Sequence, residues 1–139
     1  MYVLDTNALS ELRRLDRANA GLADWAQSVP TPDIYLSVIT ILEIELGVAQ
    51  ISRRDPTQGV ILREWIDTQV LTRFAGRILP VDVAIATRAA RLHVPDPRPE
   101  RDALIAATAL VNGMTIVTRN VSDFISMGVA LINPWTANG

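Results

Sequence analysis

The stretch Tyr2-Val3-Leu4-Asp5-Thr6-Asn7 decides the fold and directs attention to one residue, Asp5. Its first three residues are apolar and favour β structure. They leave no room for a polar face, so we predict a buried strand of a parallel sheet over residues 2–5. Parallel sheets bind ligands at the carboxyl ends of their strands. Asp5 therefore brings a carboxylate to that edge, where it is either a ligand or the cap of the following helix.

Length and composition favour one domain that spans residues 1–139. The chain has 139 residues, 49% of them hydrophobic, and its interior contains neither a repeat nor a low-complexity linker. No signal peptide is recognisable. The longest uncharged run in the interior of the chain, Ala103 to Thr118, is shorter than the roughly 20 residues that span a bilayer. We therefore expect a soluble cytoplasmic protein without a membrane segment.

The cysteine and lysine content excludes several kinds of chemistry. Cysteine is absent, which excludes disulfides, thiolate metal sites and cysteine nucleophiles. All 13 basic residues are arginines, and the absence of lysine excludes Schiff-base chemistry and the Walker lysine. The net charge of −2 does not favour nucleic acid globally. Such binding would require local patches, such as Arg13-Arg14-Arg17 or Arg53-Arg54.

Strands alternate with helices along the chain, which predicts an α/β domain with a mainly parallel sheet. Strands are expected over residues 2–5, 34–37, 77–81, 115–118 and 129–132. Helices are expected over residues 6–14, 18–29, 41–51, 60–74, 83–93 and 100–112. Thr40 and Asp82 are the expected caps of two of these helices. We expect a polar turn over residues 53–59, an extended linker over residues 95–99 and a loop over residues 119–128.

Acidic residues occur at points where such a topology converges. Asp5 ends the first strand, Glu43 lies near the start of the helix after the second, Asp102 opens a later helix, and Asp123 follows the strand at Thr115. All four positions fall near the carboxyl edge of the sheet. Like charges in one cleft stay ionised only with a compensating cation. The cluster therefore predicts an oxygen-ligand site for Mg²⁺ or Mn²⁺, ions that activate water in phosphodiester hydrolysis.

Each acidic residue also has an ordinary structural interpretation. Asp5 could cap a helix, Asp102 could serve the dipole of its helix, and Asp123 could form an Asx-turn. Glu43 could be a solvated helix residue, as Glu45 is expected to be. Residues two apart on a helix face different ways, but spacing alone does not decide which glutamate points inward.

Four collinear motifs resemble the PIN domain, and the resemblance covers nearly the whole chain. They are Val3-Leu4-Asp5-Thr6-Asn7, then Leu36-Ser37 with Thr40, Glu43 and Gly47, then Asp102-Ala103-Leu104-Ile105-Ala106-Ala107-Thr108-Ala109, and finally Val117-Thr118-Arg119-Asn120 with Asp123-Phe124. The stretch Ala75 to Asp82 and the ending Asn133-Pro134-Trp135 resemble the FitB-like branch of VapC-type toxins. The resemblance implies a PIN-like α/β/α sandwich with four to five strands, and a metal-dependent endoribonuclease that is the toxin of a toxin–antitoxin pair.

The resemblance also implies which residues form the site. Asp5, Glu43 and Asp102 carry over directly as catalytic and metal-binding acids, and Asp123 is the expected fourth acid. Asn120 occupies a position that is acidic in some relatives, so it is expected to be a neutral ligand or to position water. Thr6, Asn7 and Thr118 are expected to support the acids, with Thr6 and Thr118 binding water or orienting a carboxylate.

The same resemblance implies the partners: an RNA substrate, Mg²⁺ or Mn²⁺, a second copy of the chain, and a VapB/FitA-like antitoxin. The antitoxin complex would be a heterotetramer or larger and would contact operator DNA through the antitoxin.

Other functions are compatible with parts of this sequence. A PIN-type DNA nuclease and a non-catalytic RNA-binding PIN scaffold are the nearest alternatives. A haloacid-dehalogenase-type phosphatase would need a second Asp at position 7, where the chain has Asn7. A Ser–His–Asp hydrolase would need His93, and no Gly-x-Ser-x-Gly elbow is present.

Overall fold

A five-stranded parallel sheet with the order β3-β2-β1-β4-β5 lies at the centre of the structure, a computed structural model that describes residues 1–137. The strands are β1 (Tyr2–Leu4), β2 (Ile34–Ser37), β3 (Ile78–Leu79), β4 (Thr115–Val117) and β5 (Leu131–Ile132). The predicted α/β fold and its parallel sheet are therefore confirmed. Each strand is short, because most run directly into a helix or loop at the edge where polar groups gather.

The helices that connect and cover these strands occupy most of the chain. They are α1 (Thr6–Leu12), α2 (Ala20–Ser28), α3 (Val38–Arg54), α4 (Pro56–Trp65), α5 (Leu71–Arg73), α6 (Val83–Leu92), α7 (Glu100–Asn112), α8 (Val121–Phe124) and α9 (Pro134–Ala137). A π-helical segment, Ile66–Val70, joins α4 to α5. Across residues 1–137, no helix combines the length and the apolar character needed to cross a membrane.

Helices cover both faces of the sheet, as expected for an α/β/α sandwich. Neighbouring residues of β1 point to opposite faces, so Leu4 packs in one hydrophobic cluster and Val3 in another. On the Val3 side, α7 buries alanines that include Ala106 and Ala109. These small side chains allow α7 to lie close to the sheet, and they fix the position of its first turn.

The helix after β2 begins earlier than the sequence indicates. Ser37 is its N-cap and accepts a hydrogen bond from the backbone N–H of Ile39 at 3.0 Å. Thr40, the expected cap, lies inside the helix and is fully buried. The strand thus turns into the helix without a loop, because the last residue of β2 also caps α3.

Two segments predicted as irregular are helical. The expected turn over residues 53–59 is wrong, because α3 continues to Arg54, and Asp55 caps α4 through the N–H of Gln58. Gly59 lies within α4, where a Cβ atom would come within 2.1 Å of the Ser52 hydroxyl. The expected loop after β4 is also partly wrong, because it contains α8 and a 3₁₀ turn over residues 125–127.

Other elements agree with the sequence and differ mainly in their bounds. α1 and α2 are shorter than predicted, and the last strand begins at Leu131 instead of residue 129. Asp82 caps α6 as expected, accepting from the N–H of Ile85 at 2.9 Å. Gly113 ends α7 in the left-handed conformation with φ 65°, which a glycine adopts without strain.

Candidate active site

The candidate site lies where β1 and β4 end side by side. Within the sheet, β2 pairs with one edge of β1 and β4 pairs with its other edge. Such a reversal of strand order leaves a crevice at the carboxyl edge. The backbone N–H of Asp5 donates to the carbonyl of Val117 at 3.0 Å, so Asp5 and Thr118 extend the two strands into this crevice.

Asp5 is buried at this edge, with 7% of its surface exposed. Its Oδ1 accepts from the N–H of Thr6 at 2.7 Å, and its Oδ2 accepts from the Thr118 hydroxyl at 2.9 Å. Burial raises the pKa of Asp5, and the charges of Glu43 and Asp123 add to that rise, while the two hydrogen bonds oppose it. Asp5 therefore caps α1 and also faces the other acids, so the two interpretations of this residue are compatible.

Glu43 faces the site and Glu45 does not. The Thr6 hydroxyl donates to Glu43 Oε1 at 2.7 Å and also lies 3.1 Å from the Thr40 hydroxyl. Glu45 instead binds Arg63 of α4, at 2.5 Å between Oε1 and Nη1. That pairing lowers the pKa of Glu45. Glu45 is thus a partner in helix packing, which differs from the solvated residue that the sequence predicts.

Asp102 and Asp123 complete the group of acids. Asp102 lies in the first turn of α7 and Asp123 in the first turn of α8. The pKa of Asp102 rises to about 6, first because of its burial and then because of the charges of Asp123, Asp5 and Glu43. Acids from other segments of the chain thus lie close enough to raise the pKa of Asp5 and of Asp102.

The backbone of Asn120 connects Asp123 to Thr118, the residue that binds Asp5. Its N–H donates to the Thr118 hydroxyl at 2.9 Å, and its carbonyl accepts from the N–H of Asp123 at 3.0 Å. The Thr118 hydroxyl therefore binds both this turn and Asp5, because it accepts from Asn120 and donates to Asp5. Asn7 is exposed in the first turn of α1. The functions expected of Asn120 and Asn7 stay predictions.

Comparison with known proteins assigns the family. Residues 2–128 match the profile of the PIN domain. The chain belongs to the PIN-domain family. The assignment agrees with the order of the four motifs and leaves no basis for the phosphatase and serine-hydrolase alternatives.

Full-length relatives of this PIN domain include bacterial toxins and ribonucleases. The chain is 36% identical to the toxin FitB of Neisseria gonorrhoeae, covering 97% of this chain and 99% of the relative. It is 34% identical to the VapC ribonuclease Y4jK of Sinorhizobium fredii, with 97% and 98% covered. A solved structure of FitAcB from Neisseria gonorrhoeae superposes with a TM-score of 0.88 at 35% identity, covering 98% of this chain and 99% of that one.

Two residues that the sequence interpretation did not place in the site contact side chains grouped there. Thr40 lies beside Thr6 in the hydrogen-bonded group around Glu43. Its position three residues before Glu43 is a usable signal, since residues three apart share a helix face. Arg101 lies 3.8 Å from Glu43 Oε2 through its Nη1. Its position beside Asp102 gives no sign of this contact, because the contact joins α7 to α3.

The donor set of this site suits a hard divalent cation. It consists of carboxylate oxygens, which Mg²⁺ and Mn²⁺ prefer over nitrogen or sulfur ligands. In residues 1–137, no three acidic or histidine side chains are already close enough together to hold an ion. Mg²⁺ usually keeps several waters and uses one or two carboxylates. Such an ion would offset the electrostatic repulsion among the carboxylates.

A separate apolar cavity of about 420 Å³ lies away from the acids. It is formed between α1, α2, the end of α4 and the helical segments that follow it, and Leu9, Trp65 and Phe74 contribute to its walls. None of the four acids lines it. The chemistry of the site therefore depends on the open edge of the sheet and not on this cavity.

Proposed function

We propose that this PIN domain is a metal-dependent endoribonuclease that acts as the toxin of a toxin–antitoxin pair. The observation that carries the proposal is the convergence of Asp5, Glu43, Asp102 and Asp123 at the carboxyl edge of β1 and β4. Similarity over nearly full length to a protein named toxin FitB and to one named a VapC ribonuclease supports the activity and the role.

The proposed site residues divide into acids and the groups that orient them. Asp5, Glu43, Asp102 and Asp123 would hold one or two Mg²⁺ or Mn²⁺ ions, and such an ion lowers the pKa of a bound water and offsets charge on the leaving oxygen. Thr118 favours the ionised form of Asp5 by donating to Oδ2, and Thr6 fixes Glu43 by donating to Oε1. Through these bonds the protein fixes the carboxylates before the substrate arrives.

The proposal includes a cellular setting and partners. Residues 1–139 would form a single cytoplasmic domain that pairs with a second copy and with a VapB/FitA-like antitoxin. Solved relatives include FitAB bound to a DNA fragment, which has a TM-score of 0.86 and 36% identity to this chain, with 97% of this chain and 96% of that one covered. A corresponding complex of this chain would be a heterotetramer or larger and would reach operator DNA through its antitoxin.

Cleavage by the purified protein tests the enzymatic proposal. Wild type with Mn²⁺ should cut RNA and leave DNA of the same sequence intact, EDTA should stop the reaction, and added Mn²⁺ should restore it. Asp5→Asn should abolish cleavage while circular dichroism shows an unchanged fold. An Asp5→Asn protein as active as wild type would contradict the mechanism. Preferential cutting of DNA, or RNA binding without cutting, would establish one of the two nearer alternatives.

Expression in cells tests the toxin role and identifies the target. Induction of the wild-type chain should arrest growth, and co-expression of the small protein encoded beside it should relieve the arrest and co-purify with the chain. Sequencing the RNA ends that appear with wild type and not with Asp5→Asn would identify the cleaved RNA. Normal growth during expression of an active nuclease would contradict the toxin role alone.

A further inference from the structure

Arg101 is a basic residue in contact with the acidic site. It is the second residue of α7 and immediately precedes Asp102, which leaves it at the mouth of the crevice. Its Nη1 lies 3.8 Å from Glu43 Oε2, and 48% of its side chain is exposed. It therefore contacts both the acidic cluster and the solvent from which a substrate arrives.

The two oxygens of Glu43 are held in different ways. Oε1 accepts a short hydrogen bond of 2.7 Å from Thr6, whereas Oε2 has only the longer ion-pair contact with Arg101 among the contacts found in residues 1–137. At 3.8 Å the ion pair is too long to be a hydrogen bond. Exposed ion pairs contribute only about 0.2–1 kcal/mol. Thr6 thus fixes Glu43, while Arg101 can leave it at little cost.

The negative charges of the site make a nearby arginine favourable for substrate binding. Negative charge from these acidic side chains repels a polyanionic RNA. A guanidinium beside them offsets part of this repulsion and binds a phosphate through two parallel N–H donors. The N-terminus of α7 adds a partial positive charge on the same side.

We propose that Arg101 exchanges partners during the reaction cycle: it pairs with Glu43 in the metal-free protein, and it binds an RNA phosphate once a divalent ion occupies Glu43. The inference rests on the proposed function and identifies a residue that contacts the substrate there. Arg101 then has two measurable effects. It competes weakly with the metal, and it contributes one contact to RNA.

Metal affinity tests the first effect without any cleavage. Isothermal titration with Mn²⁺ should give about 1.4- to fivefold tighter binding for Arg101→Gln than for wild type, the range that one exposed ion pair allows. Arg101→Lys keeps the charge and should bind Mn²⁺ like wild type. Arg73→Gln is the matched control, because Arg73 is an exposed arginine of α5. Its carbonyl accepts a hydrogen bond from Arg77, the residue that precedes β3, so it lies towards the opposite edge of the sheet from the acids.

RNA binding tests the second effect in the inactive Asp5→Asn background. Fluorescence anisotropy with a short labelled single-stranded RNA is measured at an Mn²⁺ concentration that the titration shows to saturate the Asp5→Asn protein. It should show weaker binding when Arg101→Gln is added. The plot of the logarithm of the RNA association constant against the logarithm of the salt concentration has a negative slope. The magnitude of this slope should decrease by about 0.7, as expected for the loss of one phosphate contact to a single strand. Arg101→Lys should recover part of the affinity because it keeps the charge but not the paired donors. Arg73→Gln should leave both the affinity and the slope unchanged.

The outcomes separate this inference from the proposed function. Equal Mn²⁺ affinity for wild type and Arg101→Gln would overturn the inference, and weaker affinity would also overturn it, because Arg101 would then only hold Glu43 in place. Tighter Mn²⁺ binding with unchanged RNA binding would overturn the exchange of partners. If Mn²⁺ binds no variant, the metal site and the inference both fail. If wild type binds Mn²⁺ and RNA without cutting RNA, only the proposed enzymatic activity fails.

Discussion

At the scale of single residues, Asp102 shows how the site strains the fold. Its pKa rises to about 6 through burial and the neighbouring negative charges. The folded protein therefore binds a proton more tightly at this carboxyl than the unfolded chain does. Stability from Asp102 is greatest when it is protonated, and it decreases as pH rises from the unfolded pKa through the folded pKa. At neutral pH without metal, Asp102 destabilises the fold.

We predict that Asp102→Asn abolishes RNA cleavage and raises the melting temperature of the metal-free protein at pH 7. The amide carries no charge, so the repulsion from the other acids disappears. Between pH 7 and pH 5 the melting temperature of wild type should rise relative to that of Asp102→Asn, and the gap between them should narrow. Glu64→Gln removes an exposed acid of α4 and should change neither property. A lower melting temperature for Asp102→Asn at pH 7 would contradict the prediction.

Thr118 has the opposite effect on its neighbour, because its hydroxyl stabilises the ionised form of Asp5. Thr118→Val keeps the shape of the side chain but removes this donor, so the pKa of Asp5 should rise further. Because a metal ligand must be deprotonated, the pH at which Mn²⁺ binding is half-maximal should shift upward. Thr108→Val is the matched control, since Thr108 is equally buried but donates to the carbonyl of Leu104 within α7. Equal shifts for the two variants would show that the effect is not local to the site.

At the scale of elements, α3 separates a functional glutamate from a structural one. Glu43 and Glu45 lie two residues apart, and one faces the site while the other binds Arg63 of α4. We predict that Glu43→Gln weakens Mn²⁺ binding and abolishes cleavage. Glu45→Gln should leave both intact and lower the free energy of unfolding by about 1 kcal/mol, as expected for an exposed pair with good geometry. Chemical denaturation and Mn²⁺ titration of both variants measure this; loss of metal binding in Glu45→Gln would contradict it.

The elements also show where the sequence was sufficient. The strand at Tyr2 and the ends of α6 and α7 follow from local signals: an apolar run, the cap Asp82 and the left-handed Gly113. The start of α3 and the break between α3 and α4 were mispredicted. Ser37 ends a strand and caps a helix at once, and Gly59 is accepted within a helix where α4 approaches Ser52 closely. Both depend on packing between elements, which local patterns do not contain.

The residues of the candidate site were also predictable in part, where the sheet topology or the family resemblance indicates which of them lie together. Parallel topology brings the ends of strands together, so Asp5 and Asp123 could be associated from the sequence, and the family resemblance selected Glu43 over Glu45. The contact between Arg101 and Glu43 joins two helices on the rim of the site. Its existence depends on the packing of α7 against the sheet, which the buried alanines set.

At the scale of the whole molecule, the four acids connect segments that are distant in sequence: the end of β1, α3, α7 and the turn after β4. A cation bound among them binds the folded chain and not the unfolded one, so it should stabilise the entire domain. We predict that the melting temperature at pH 7 rises with Mn²⁺ concentration. At a free Mn²⁺ concentration of one hundred times the dissociation constant, the free energy of unfolding should be higher by about 2.7 kcal/mol. The rise should shrink at pH 5, because protons compete for Asp102. Glu43→Gln should reduce the effect, and EDTA should abolish it, when followed by differential scanning fluorimetry. A melting temperature independent of Mn²⁺ would mean that the convergence of these acids does not create a cation site.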